Sequence, residues 1–279
     1  MTRLLLIFLT ATLTRAIPAA IELNSLTEAA EMVPDQTLVY KTVGERELRL
    51  HAFLPENLEL TNSPSVLCIH GGGWRGGEPR QFFPHCRYFA TRGIPAFAVE
   101  YRLVDESAGT TILDCLADCD DAVAYARAHA MELGLDPDRV AVMGDSAGGH
   151  LAASLGTLPS VTNHANAVIN CNGIMDLTDR WIGNVPDRDP VVAAALSPLL
   201  NVSSNTAPML HLHGLADTVV FPIEAENMHA ALTNSGVRSE LRLLADAKHA
   251  FILPGYTAPQ EQIVEGLDAS DRFLESLGY

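Results

Sequence analysis

The sequence predicts an α/β domain with a mostly parallel sheet of about eight strands and helices on both faces. Three observations predict it. Short apolar runs alternate with segments of helical periodicity, which is the mark of strands joined by crossover helices. Two alternating segments near the start are split by a Gly44-Glu45 turn, the pattern of an antiparallel hairpin. The residues able to carry chemistry fall just after apolar runs, where an open parallel sheet collects its reactive groups.

In order, 37–43 and 47–55 form the hairpin, which ends at Pro55. The run 65–69 is a strand bounded by Pro64 and a glycine cluster, and 93–99 is another, with a helix over 82–91 between them. Helical periodicity covers 110–133 and stops near Gly134. A strand at 138–143 leads into a helix over 146–155. Strands follow at 165–171 and 208–212, then a helix over 224–234 stopped by Gly236, a strand at 239–244 and a closing helix over 259–277. Residues 172–205, including Trp181, Ile182 and Pro186, are too few for a cap domain and are expected to form a short lid.

The first twenty residues read differently. Arg3 precedes the unbroken apolar run Leu4 to Leu9, and small residues follow at Ala16, Ala19 and Ala20. That is the pattern of a secretory leader, with cleavage expected after Ala16 or Ala20; an uncleaved membrane anchor is the alternative. The expected organisation is therefore a signal peptide over 1–20 and one domain over 21–279, secreted or periplasmic, with no membrane contact once the leader is removed. Composition narrows the partners. With 34 acidic against 18 basic residues the formal charge is −16, which repels phosphate backbones and argues against nucleic acid. Five cysteines do not make a disulfide framework in 279 residues. Cys68 and Cys171 sit in apolar runs as small hydrophobes. Cys115 and Cys119 share a helix face, and spacing leaves open whether Cys86 pairs with either. No Cys/His spacing of a metal site is present, and no metal or organic cofactor is expected.

Residues 144–148 read Gly-Asp-Ser-Ala-Gly between an apolar strand and a helix. This matches the G-x-S-x-G turn, in which a strained strand-to-helix corner exposes a serine hydroxyl at a helix N-terminus. A glycine-rich turn also serves for packing or as a phosphate loop, but no Walker lysine follows and no dinucleotide fingerprint is present. Ser146 is the candidate nucleophile. Asp145, its neighbour, is read as structural, because an adjacent side chain does not reach the far side of a histidine. Upstream, His70-Gly71-Gly72-Gly73-Trp74 follows a strand. The amides of Gly71, Gly72 and Ala147 are the expected oxyanion donors. Trp74 is a candidate pocket wall or a packing anchor, and His70 is expected to orient the loop.

A serine hydroxyl needs a base, and the base an orienting acid. Downstream of Ser146 stand His150, His164, His211, His213, His229 and His249. His249 follows the last strand and is the expected base; His211 and His213 lie in or at the end of a strand as bracing residues, and His150 lies on the helix after the serine. Asp217, in the loop after 208–212, is the expected acid, with a helix N-cap role as its structural alternative. Asp176 is the second candidate.

Taken together, the HGGGW loop, Glu100-Tyr101-Arg102-Leu103, GDSAGGH, His213-Gly214-Leu215-Ala216-Asp217 and Lys248-His249-Ala250-Phe251 resemble the carboxylesterase branches of the α/β-hydrolase superfamily. The likeness spans about residues 40 to 275 and is nearest to small HGGG-type feruloyl and acetyl esterases of plant-polysaccharide breakdown. It implies an α/β-hydrolase fold and a Ser-His-Asp ester hydrolase for short-chain, acetyl or feruloyl esters, free or on polysaccharides. An arylformamidase on the same scaffold, a peptidase and a non-catalytic binding protein are the competing readings. Asn201-Val202-Ser203 is a glycosylation sequon.

Overall fold

The computed structural model describes residues 31–56, 61–256 and 258–279. The leader-like segment at 1–20 lies outside the described residues. The hairpin forms as expected: β1 (Gln36–Val43) and β2 (Arg46–Phe53) pair antiparallel, with Val43 opposite Arg46. Gly44 makes the turn at φ 61°, a left-handed backbone that costs glycine little. Next come β3 (Ser63–Ile69), α1 (Phe83–Thr91), β4 (Ala96–Val99), α2 (Ile112–Ala128), α3 (Ala130–Leu133) and β5 (Leu135–Asp145). The second half holds α4 (Ala147–Thr157), β6 (Ala167–Cys171), α5 (Pro190–Ala195), β7 (Met209–Gly214), α6 (Ile223–Asn234), β8 (Ser239–Leu244) and α7 (Gln260–Glu275).

These eight strands form one sheet in the order β1-β2-β4-β3-β5-β6-β7-β8. β2 runs antiparallel to both β1 and β4, and every neighbouring pair from β4 to β8 is parallel. This is the topology of the α/β-hydrolase fold.

Side chains alternate across the strands, so each strand feeds two cores. On β5, Val140 and Val142 pack into the layer of α2, α4 and α6, while Ala141 and Met143 pack into the layer of α1 and α7. With both faces covered, the central strands read as unbroken apolar runs. The same division settles the cysteines. All five are buried and free. Cys86 lies in the layer under α1 and α7, and Cys115 and Cys119 lie in the opposite one. The sheet stands between them, so Cys86 meets neither.

Two boundaries differ from the sequence expectation. The periodic segment 110–133 breaks at His129, whose φ −101° and ψ 14° leave the helical region between α2 and α3. The apolar pattern continues through the break because Ala130 stays buried. β4 begins at Ala96 rather than at 93, because Gly93 at φ 83° closes α1 instead. Its amide and that of Ile94 bond back to Ala90 and Phe89, as in a glycine helix stop.

Candidate active site

β5 ends in the serine turn. Ser146 has φ 54° and ψ −118°, a conformation that side-chain-bearing residues seldom adopt. Its neighbours have no room for a side chain. A Cβ on Gly144 would strike the carbonyl of Gly148, and one on Gly148 would strike the carbonyl of Ile69. The turn is fastened by Ser146 N–H donating to the Cys171 carbonyl at 2.9 Å and by His150 N–H donating to the Ser146 carbonyl at 3.0 Å.

The loop after β8 brings His249 to this turn. His249 Nε2 lies 2.9 Å from Ser146 Oγ, and its Nδ1 lies 2.8 Å from Asp217 Oδ2. Since a carboxylate only accepts, Nδ1 carries the proton and Nε2 is left to accept from the serine hydroxyl. Asp217 stands in the loop after β7. Its Oδ1 accepts from the amides of Val219 at 2.8 Å and Val220 at 3.0 Å. His213 Nε2 donates to the Val220 carbonyl at 2.9 Å and lies 3.5 Å from Asp217 Oδ2. Burial opposes a charge on Asp217, but the hydrogen bonds from His213 and His249 outweigh it and hold the carboxyl well below the usual carboxylate range.

The glycine loop lies against the serine turn. The Cβ position of Gly71 is 2.8 Å from the Asp145 carbonyl oxygen and 3.1 Å from Ser146 Cβ. The amides of Gly71, Gly72 and Ala147 make no turn or loop hydrogen bond among the described residues. His70 braces this loop. Its ring stacks on Tyr101 at 4.4 Å, its Nδ1 donates to the Gly71 carbonyl at 2.8 Å, and Tyr101 Oη donates to the His70 carbonyl at 2.8 Å. Burial pushes the His70 imidazole down to about 4, so it is neutral at pH 7.

Trp74 is 1% exposed and sits edge-on to His150 at 5.3 Å and to Trp181 at 6.4 Å. With no open face, it packs the glycine loop against the lid. Asp176 turns its Oδ1 to the Thr178 amide at 2.8 Å, the Thr178 hydroxyl at 2.7 Å and the Ser197 hydroxyl at 3.3 Å, all within the lid. His211 is buried beside Asn170, with Nδ1 3.0 Å from its Nδ2. Among the described residues, no group of three or more His, Cys, Asp or Glu is arranged to hold a metal ion. Two cavities, of 780 and 560 Å³, adjoin each other at Arg75, Val104, Glu106 and Thr110, and neither is lined by Ser146, Asp217 or His249.

The BD-FAE family model matches residues 50–232, a span that includes Ser146 and Asp217. The chain belongs to the BD-FAE family. It is similar to the carboxylesterase NlhH of Mycobacterium tuberculosis, 32% identical over 201 residues that make up 61% of this chain and 61% of the relative. It is also similar to the probable carboxylic ester hydrolase LipM of that organism, 29% identical over 191 residues, 59% of this chain and 44% of LipM. The chain spans about half the length of the curated relatives it matches. Among solved structures, Thermogutta terrifontis esterase 2 with propionate bound superposes with a TM-score of 0.80 at 32% identity, covering 87% of this chain and 94% of that one. The same esterase phosphonylated by sarin superposes with a TM-score of 0.81 at 30% identity, covering 88% and 96%.

Other residues hold the site of this BD-FAE member in place, in roles that the sequence did not assign. Asp118, fully buried on α2, receives Arg102 through Nε and Nη2, both at 2.8 Å, the Arg102 amide at 2.9 Å and Lys41 Nζ at 2.6 Å. Arg102 also pairs with Asp114 at 2.9 Å. The network fixes the chain leaving β4, next to Tyr101 under the glycine loop. The one sequence signal was the pair of acids four apart on one helix face. His150 ties α4 to the lid, its Nε2 2.9 Å from the Leu196 carbonyl. Glu224 accepts the amides of Met175 at 3.0 Å and Asp176 at 3.1 Å, securing the start of the lid.

Proposed function

We propose that this BD-FAE member is a serine carboxylic-ester hydrolase acting through Ser146, His249 and Asp217. The observation that carries the reading is the unbroken line from Ser146 Oγ to His249 at 2.9 Å and on to Asp217 at 2.8 Å. His249 takes the hydroxyl proton as Ser146 attacks the ester carbonyl, and Asp217 holds the imidazole and steadies its cation. The amides of Gly71, Gly72 and Ala147 receive the oxyanion; losing one such donor typically costs about 3 kcal/mol of barrier. His249 then gives its proton to the departing alcohol. Water, activated by the same histidine, hydrolyses the acyl-enzyme. Every proton in this sequence is moved by His249.

The substrate we propose is an ester with a short acyl group. The lid over 172–205 is built from short turns and the six-residue α5. The names of the relatives and the propionate complex of the neighbouring esterase support the same class. Acetyl and feruloyl esters, free or on polysaccharides, stand within it. Export, read from Arg3 and the run Leu4 to Leu9, is proposed with it.

The test is hydrolysis of p-nitrophenyl acetate, butyrate and octanoate, methyl ferulate and acetylated xylan, with Ser146→Ala as control. Activity highest on the shorter acyl chains and lost in the variant is expected. Activity on none of them, from a protein whose serine still reacts with a fluorophosphonate, would replace the ester reading with formamides or peptides.

A further inference from the structure

Asp217 is held by more than His249. The loop that carries it leaves β7 at Gly214 and reaches α6 after Pro222. Its first limb is tied to the chain leading to His249: the Leu215 amide donates to the Leu244 carbonyl at 2.9 Å and the Ala216 amide to the Ala247 carbonyl at 3.0 Å. Its second limb returns through Val219 and Val220, whose amides donate to Asp217 Oδ1.

His213 fastens that second limb to the sheet. It is the penultimate residue of β7 and is fully buried. Its Nε2 lies 2.9 Å from the Val220 carbonyl oxygen. A carbonyl only accepts, so Nε2 carries the ring proton. The same nitrogen lies 3.5 Å from Asp217 Oδ2, the oxygen that His249 Nδ1 meets at 2.8 Å. At 3.5 Å that second contact is long and weak, while the bond to Val220 is of ordinary length. Val220 is thus gripped from both sides, its amide by Asp217 and its carbonyl by His213. His213 Nδ1 has no hydrogen-bond partner among the described residues, so the hydrogen bonding of the ring is directed at the acid loop.

A buried side chain that serves packing alone has no use for a donor, and an apolar one would fill the space without leaving a nitrogen unpartnered. We propose that His213 is a positioning residue for the proposed triad, fixing Asp217 through Val220 and placing a donor beside Oδ2 that draws off part of the negative charge facing His249. The inference rests on the reading of Ser146, His249 and Asp217 as that triad. Other ionisable groups face these residues. The charge of Asp145 acts on both His249 and Asp217, and Glu224 and His211 face His213.

The experiment compares His213→Leu, which fills the space without a donor, with His213→Gln, whose amide nitrogen reaches the place of Nε2. Two measurements need no ester. One is the rate at which a fluorophosphonate labels Ser146. The other is the ring titration of His249, followed by NMR in histidine-labelled protein and assigned with His249→Ala. In His213→Leu, labelling slows about tenfold and the titration midpoint of His249 moves to higher pH by about 0.5, because a carboxylate with fewer donors holds the imidazolium more tightly. His213→Gln stays within about threefold of the wild-type rate, with its midpoint close to that of wild type. For p-nitrophenyl acetate, kcat falls with the labelling rate while KM stays within about twofold. The series is repeated with Asp145→Asn, so that titration of that carboxyl does not enter. His213→Asn, whose amide reaches only the place of Nδ1, replaces the leucine variant if that one does not fold. A rate and midpoint unchanged in His213→Leu, or changed equally in His213→Gln, overturn the positioning role. A wild type that hydrolyses no ester, with the midpoint shifted in His213→Leu and restored in His213→Gln, keeps the positioning role and overturns the ester reading instead.

Discussion

Asp217 Oδ2 lies 2.8 Å from Nδ1 of His249, and the other oxygen of the same carboxylate is held by the amides of Val219 and Val220. The carboxylate is therefore fixed by the backbone before it meets the imidazole, and it dictates which ring nitrogen carries the proton. Asp217→Asn keeps the shape but offers an N–H where His249 needs an acceptor. Its kcat is expected to fall by about 10³- to 10⁴-fold with the fold intact by circular dichroism. Asp176→Asn, which disturbs only lid bonds to Thr178 and Ser197, is expected to stay within about threefold. The reverse pattern would move the acid to Asp176.

Asp118 predicts a stability effect. It is fully buried and holds both Arg102 and Lys41. Asp118→Ala strips Arg102 and Lys41 of their buried partner, leaving Asp114 and Asp121 to pair with them, and is expected to cost on the order of 1–3 kcal/mol in urea unfolding. Asp118→Asn, which still accepts one hydrogen bond, is expected to cost less. An alanine variant as stable as wild type would show that the network contributes nothing.

Much of this was legible in the sequence because the signals are local. The apolar runs gave the sheet its strands, and Ser146, Asp217 and His249, the residues proposed for catalysis, each follow a strand. What was hidden depends on partners distant in sequence. Lys41 and Asp118 are 77 residues apart, and His150 and Leu196 are 46 apart. The break at His129 was invisible because burial continues through it. The separation of Cys86 from Cys115 and Cys119 required knowing which helix covers which face of the sheet. Trp74 reads in sequence as either a wall or an anchor, and only its contacts with His150 and Trp181 place it beneath the lid.

The buried histidines make the fold sensitive to acid. Burial holds the imidazoles of His70, His85 and His150 down to about 4, below the unfolded value of 6.5. Between those values the unfolded chain binds more protons than the folded one. Stability is thus complete above about 6.5 and declines as pH falls to about 4, by on the order of 1–3 kcal/mol per histidine. The urea midpoint is expected to drop from pH 7.5 to pH 4.5. A flat midpoint over that window would contradict the neutral, buried state of these rings.

Asp145 acts in the opposite sense. Burial pushes its carboxyl up to about 7, against the attraction of His249 and with the repulsion of Asp217, and its Oδ1 has no hydrogen-bond partner among the described residues. The folded value lies above the unfolded 3.8, so the stability this group contributes at low pH is lost as pH rises from about 4 to 7. Asp145→Asn removes that loss. It is expected to raise stability at pH 8 by on the order of 1–3 kcal/mol and to change it little near pH 4. A variant destabilised at pH 8 would show that the carboxylate is held by a favourable contact.

The central claim is that Ser146 is activated by His249. Its most direct test is stoichiometric reaction with a fluorophosphonate, read by mass spectrometry of the intact chain and its peptides. One adduct per chain at Ser146, with labelling slowed at least about 10³-fold in His249→Ala, is the predicted result. A wild-type chain that stays unlabelled, or a His249→Ala chain that labels at the wild-type rate, would contradict it.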